Sequence, residues 1–142
     1  MPDISQMTVP DYGIPFEAFI DYIIKVESGG NPYAINKKSG ARGLTQLTKI
    51  AWEDLQDNFP EKYKNIPFEI GTFNPEISRQ AGLDYLILID RYLDHYGLPK
   101  TLENYLAAYN WGIGNLYKKG LENMPEETRG YIHKIKSLLN IE

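Results

Sequence analysis

Phe16-Glu17-Ala18-Phe19-Ile20-Asp21-Tyr22-Ile23-Ile24-Lys25-Val26-Glu27-Ser28-Gly29-Gly30-Asn31-Pro32 starts behind a proline and ends in paired glycines. Pro15 favours the opening of a helix, where its missing N–H removes no bond. Phe16, Phe19, Ile20, Ile23 and Ile24 then recur at helical spacing and share one face. Gly29-Gly30 end the helix just beyond Glu27. A carboxylate is thereby handed from the negative end of an apolar helix to a glycine turn. The helix dipole and partial desolvation both favour its protonated form, which suits it to donate a proton near neutral pH. Splitting an acetal needs such a group, because the departing glycosidic oxygen must be protonated. Glu27 is therefore read as a general acid.

Outward from that helix, residues 31–43 hold Asn, Pro, Ser and Gly and read as a loop, with a short β-hairpin near residues 33–44. Gly43-Leu44-Thr45-Gln46 begins sixteen residues after Glu27 and leads into a second helix, from Thr45 or Thr48 to Asp57, expected to bury Leu47, Ile50, Ala51 and Leu55. Prolines and a glycine make residues 58–73 a connecting loop. Asn74-Pro75 is a strong start signal, a capping side chain followed by proline at the first helical position. The helix it opens is apolar along one side through Ala81, Leu86, Ile89, Leu93 and Tyr96, stops at Gly97, and is expected to be central and buried. Tyr85, Tyr92 and Tyr96 fall at helical spacing and are expected to pack. Thr101 caps the next helix, which ends near the glycines of Asn110-Trp111-Gly112-Ile113-Gly114. A short helix around Leu116 and a last one from about Glu127 to Leu139 follow. Residues 1–13 read as an irregular N-terminal arm, and no convincing strand pair is visible. The expectation is a mainly α fold, one domain over residues 1–142.

The composition fits that expectation. A chain of 142 residues, 42% hydrophobic and 24% charged, buries a core without metals or disulfides. Its eleven tyrosines suit both cores and sugar-binding grooves. With no cysteine, no redox compartment can be read from disulfides. A formal net charge of −4 with no basic stretch argues against nucleic acid, and gives no electrostatic help with an anionic wall polymer. Met1 to Pro10 shows no signal peptide and no segment approaches a membrane span. A substrate outside the cytoplasm would then imply a trimmed chain, a phage or secretion component, or export by another route. His95 and His133 are far apart and lack the spacing of metal ligands, and no phosphate loop, dinucleotide fingerprint or nucleophile elbow is present. No metal and no cofactor are expected.

Four weak signals occur in a fixed order: Glu27-Ser28, Ser39 through Gln46, Ala108-Tyr109-Asn110-Trp111-Gly112, and Pro125-Glu126-Glu127-Thr128-Arg129-Gly130-Tyr131. Singly they are a helix end, a turn, another helix end and a helix start. Together they resemble the catalytic domain of the soluble lytic transglycosylases, murein-cleaving relatives of goose-type lysozyme. The family's glutamate-serine pair, its serine-x-alanine-x-glycine-leucine-methionine-glutamine stretch, its alanine-tyrosine-asparagine-x-glycine motif and its proline-x-glutamate-threonine-arginine-x-tyrosine motif match those segments in turn. Asn74-Pro75-Glu76 resembles the start of the family's long helix. The resemblance covers roughly residues 16–140 and implies a lysozyme-like helical fold with a groove for glycan strands. Thr45 stands where the family usually carries a groove-lining methionine.

What the resemblance implies chemically turns on the count of carboxylates. Hydrolysis usually needs two. Some goose-type lysozymes carry an aspartate two residues after the motif's glutamine, where this chain has Thr48, and Lys37 and Lys38 occupy the preceding loop. No second catalytic carboxylate announces itself. The implied route is non-hydrolytic, with Glu27 as sole acid and then base, cleaving the β-1,4 bond between N-acetylmuramic acid and N-acetylglucosamine to a 1,6-anhydro end. Tyr131 is expected to hold the Glu27 rotamer. Gln46 and Asn110 are expected to orient sugar hydroxyl or acetamido groups, and Tyr109 to offer a hydroxyl near the cleaved bond. Ser28 either caps the helix end or meets substrate, and Thr45 lines the site. Gly43 and Glu127 are assigned structural roles, Glu127 paired with Arg129. Core packing is favoured for Trp52, and Trp111 is open between core and sugar stacking. The implied partner is peptidoglycan, met by a monomer at the cell wall or in the periplasm. A hydrolytic muramidase and a non-catalytic glycan-binding module of a phage or secretion apparatus are the rival readings.

Overall fold

The computed structural model describes residues 3–141, so Met1 and Pro2 of the expected arm, and Glu142, lie outside the described residues. The fold is mainly α, as read from the sequence. The described residues form α1 (Phe16–Glu27), α2 (Lys49–Asn58), α3 (Pro60–Tyr63), α4 (Phe68–Gly71), α5 (Pro75–His95), α6 (Leu102–Trp111), α7 (Ile113–Lys119) and α8 (Glu126–Leu138). Two short strands, β1 (Thr8–Val9) and β2 (Ile14–Pro15), pair antiparallel. The chain falls into two compact units, residues 23–85 and the described residues before and after them, with the boundaries inside α1 and α5.

The signals that fixed the long helices are visible as bonds. The Thr48 hydroxyl accepts from the Ala51 N–H at 3.2 Å, so α2 begins at the later of its two expected starts. Asn74 Oδ1 accepts from the Ile77 N–H at 3.0 Å, and the Thr101 hydroxyl from the Asn104 N–H at 3.1 Å. These are side-chain caps on donors that a helix leaves unpaired.

In the unit of residues 23–85, Trp52 packs edge-on against Tyr63, and its Nε1–H donates to the Ile66 carbonyl at 2.9 Å. It is a core residue, as favoured. Ile50 is not: it is 80% exposed, because Ala51, Trp52 and Leu55 define the inward face and Ile50 lies off it. The stretch read as a connecting loop contains α3 and α4. Its prolines start these single turns, Pro60 at the first helical position and Pro67 as the flanking residue. The Asp84 carboxylate is buried on α5, where it accepts from the Tyr63 hydroxyl at 2.5 Å and from Lys62 Nζ at 3.2 Å. Burial first, then this bond and the carboxylate's charge, push the Tyr63 pKa well up.

In the other unit, residues 3–13 of the arm read as irregular hold a 3-10 turn and β1, which pairs with β2 just beyond them, and Val9 is fully buried. Two-residue strands carry no periodicity for a sequence to show. The Asp11 carboxylate accepts from the Leu102 N–H at 3.0 and 3.2 Å, adding a second cap to α6. Phe16 meets Tyr105 edge-on at 5.6 Å, and the Tyr105 hydroxyl donates to Asp90 at 2.5 Å. Tyr96, placed on the buried stripe of α5, is instead 36% exposed and stacks on Tyr117 at 4.3 Å. It lies past the last helical residue, His95, where the stripe has run out.

Candidate active site

Glu27 is the last residue of α1 and is half-buried. The turn after it is built by the residues the sequence supplies. The Ser28 hydroxyl donates to the Ile24 carbonyl at 3.1 Å and accepts from the Gly30 N–H at 3.2 Å. Ser28 thus caps the helix end, one of the two roles open to it. Gly29 and Gly30 have φ of +63° and +84°, a left-handed backbone that side chains disfavour.

The same unit holds the signature loop, Ser39 through Gln46. Gly43 donates its N–H to the Ala34 carbonyl at 2.8 Å, and Gln46 Nε2 donates to the carbonyls of Ala34 and Gly43 at 3.0 and 2.9 Å. The Gln46 amide therefore braces the loop's backbone, whereas the sequence reading aimed it at sugar. Gln46 itself adopts φ +51°, a conformation these bonds support. The hairpin expected near residues 33–44 is reduced to an isolated bridge between Ile35 and Arg42, and a second joins Arg42 to Leu47.

Gly43 could be no other residue, because its φ is +80° and a Cβ there would stand 1.8 Å from the Thr72 carbonyl oxygen. Its structural assignment has a direct physical cause. Thr45 has no exposed surface, and its hydroxyl lies 3.0 Å from both the Ser78 carbonyl and the Ser78 hydroxyl on α5. This corrects the expectation that it lines the site: a shorter polar side chain here turns inward and fastens the loop to α5. The position compared with a lysozyme aspartate, Thr48, is the α2 cap already described. A cleft of about 490 Å³ in this unit is lined by Lys62, Tyr63, Ile66, Glu76, Ile77 and Gln80, none of them a candidate site residue from the sequence.

The second pair of motifs lies in the other unit. Tyr109 is buried in the last turns of α6, and Asn110 and Trp111 are half-buried. Gly112 ends the helix at φ +100°. The Thr128 hydroxyl donates to Asn110 Oδ1 at 2.9 Å, joining the two motifs directly. Tyr131 follows Thr128 by one helical turn and is 6% exposed, so both face inward from α8. Glu127 is exposed in the first turn of α8, where a carboxylate favours the helix dipole. It stands two positions from Arg129, a spacing that turns two helical side chains to different faces.

Sequence reasoning passed over Ser78, Asp84 and the inward role of Thr128. Threonine within a quoted motif was a signal for the last. A serine and an aspartate inside an apolar helix give none until their partners are known.

These features are those of a single recognisable class. A family model for the transglycosylase SLT domain matches residues 10–132, and the chain belongs to this family. The chain is also similar to the membrane-bound lytic murein transglycosylase C of Photorhabdus laumondii subsp. laumondii, with 35% identity over 121 residues covering 83% of this chain. It spans about a third of that relative's length, 32%. Among the described residues no helix is long and apolar enough to cross a membrane.

Proposed function

We propose that this chain is a peptidoglycan lytic transglycosylase that cleaves the β-1,4 bond between N-acetylmuramic acid and N-acetylglucosamine, using Glu27 as its single acid and base. The observation that carries the reading is the placement of Glu27 as the half-buried last residue of α1, ahead of a Ser28-Gly29-Gly30 cap. Membership of the family and likeness to a murein transglycosylase support the substrate class.

In the first step the Glu27 carboxyl gives its proton to the glycosidic oxygen as the bond to C1 of N-acetylmuramic acid breaks, and the acetamido carbonyl steadies the positive charge. In the second step the Glu27 carboxylate takes the proton from that sugar's own C6 hydroxyl, whose oxygen closes on C1. The product carries a 1,6-anhydro ring, no water is consumed, and Glu27 ends protonated as it began. An intramolecular hydroxyl has a high effective concentration, so one carboxylate suffices. Thr48, committed to capping α2, supplies no second acid at the position compared with lysozyme, which favours this route over hydrolysis.

Asn110 and Tyr109 are assigned to substrate orientation and Tyr131 to support of the reaction. Gln46 acts by shaping the loop. The setting is outside the cytoplasm, where peptidoglycan lies, and the working unit is a monomer. Mass spectrometry of digested sacculi tests the reading, since transglycosylase products are lighter by one water per cut than muramidase products. Intact sacculi after prolonged incubation would remove both enzyme readings.

A further inference from the structure

Arg42 lies within the Ser39–Gln46 segment, immediately before Gly43, and has an unusual setting. Its guanidinium carbon lies 5.3 Å from the ring centroid of Phe68 and 5.3 Å from that of Phe73. Tyr33, 71% exposed, meets Phe73 at 6.2 Å and extends the aromatic surface. The backbone around Arg42 is fixed on three sides. It bridges to Ile35 and to Leu47, and the neighbouring Gly43 abuts the Thr72 carbonyl next to Phe73. Aromatic faces attract a guanidinium and strip water from it, while its N–H donors lie in its plane and remain available at the edge.

Among the described residues, no acid satisfies that edge. The chain holds nineteen acidic residues against fifteen Lys and Arg, and Lys62, Lys100 and Lys136 each pair with a carboxylate. Among the described residues, none pairs with Arg42. A half-buried, oriented and partly desolvated guanidinium in an acidic protein is a preorganised receptor for a carboxylate, which it binds through paired charge-assisted bonds.

We propose that Arg42, set against Phe68 and Phe73, binds a carboxylate of the glycan substrate, carried either by the lactyl group of N-acetylmuramic acid or by a peptide attached to it. This rests on the reading of the substrate as peptidoglycan. Arg42 acts in recognition and takes no part in bond cleavage.

Binding to the whole protein tests it without turnover. The probes are N-acetylmuramic acid, muramyl dipeptide with its free carboxylate, and the fully amidated dipeptide, which has no carboxylate. The expected result is about tenfold tighter binding of one or both acids than of the amide, the size of a charge-assisted bond, with the difference lost in Arg42→Gln. Which acid wins identifies the source of the carboxylate. The NMR signal of the Arg42 Nε–H in the wild type should shift with the acid and not with the amide, so the outcome does not depend on the variant folding. Equal affinity for all three probes, no measurable binding of either acid, or a preference that survives Arg42→Gln with the Nε–H signal unmoved, overturns the proposal. Intact sacculi together with Arg42-dependent acid binding would instead remove the enzyme reading and leave the receptor standing.

Discussion

The Thr128 hydroxyl donates to the Asn110 carboxamide oxygen at 2.9 Å, so a residue from the start of α8 fixes one near the end of α6 across eighteen positions of sequence. The bond decides which way the Asn110 amide points, because an oxygen held by a donor leaves the NH2 group facing the other way. Thr128 is 1% exposed, so water cannot replace it. Thr128→Val keeps the shape and removes the donor. Urea melts should show a loss of about 1–2 kcal/mol, and Thr128→Ser should lose less than half of that. If Asn110 orients substrate, turnover of sacculi should fall in the valine variant by more than its stability loss explains.

Gly43 and Gly30 share a left-handed backbone, with φ of +80° and +84°, and differ in surroundings. A Cβ on Gly30 would meet nothing within 4 Å, whereas one on Gly43 would stand 1.8 Å from Thr72 O. Gly30→Ala should therefore cost about 1–2 kcal/mol, the backbone term alone. Gly43→Ala must also displace a backbone carbonyl and should cost at least about 3 kcal/mol, since strain and overpacking add. Equal melting temperatures for the two variants would show that the loop and Thr72 separate at little cost.

The contrast between those glycines also marks how far the sequence could be read. Helix starts at Thr48, Asn74 and Thr101 were legible because a cap is a local device, one side chain on a donor three positions on. So was the end of α1, where Ser28 and two glycines act within four residues. Thr45 was misread because its environment is made by Ser78, thirty-three positions away. The partner of Gly43, the aromatic pair about Arg42 and the buried Asp84 are likewise long-range. Of the candidate residues, which ones to name could be read from the motifs but how they point could not: Gln46 was expected to face sugar, and the fold turns its amide onto Ala34 and Gly43.

Three tyrosines should shape the alkaline limit of stability. Burial, then the nearby Asp54, pushes Tyr85 from 10.0 up to about 12. Tyr63 and Tyr105, buried and bonded to Asp84 and Asp90, are pushed up further. Above about pH 10 the unfolded chain loses tyrosine protons that the folded chain keeps, so it binds fewer protons and stability falls as pH rises. Each such tyrosine contributes up to about 1.4 kcal/mol per pH unit. Tyr85→Phe should reduce the slope of unfolding free energy between about pH 10 and 12 by up to that amount, with little change in slope at pH 7. An unchanged alkaline slope would place the Tyr85 hydroxyl in water.

Glu27→Gln separates the chemistry from the fold. The amide is nearly the same size and cannot donate an acidic proton or receive one as a carboxylate does. If Glu27 is the only acid and base, both steps fail together, and release of muropeptides should drop by at least about a hundredfold, the low end of general acid–base contributions. Binding of glycan should persist, because the substitution keeps a polar group at the end of α1. Wild-type products should be uniformly lighter by one water than those of a muramidase on the same sacculi. A hydrolase that had lost its general acid would still leave any residual products hydrated, so the mass of the few cuts made by the variant also discriminates. Cutting by Glu27→Gln at near wild-type rate would show that another group supplies the proton, and the role given to the end of α1 would have to be withdrawn.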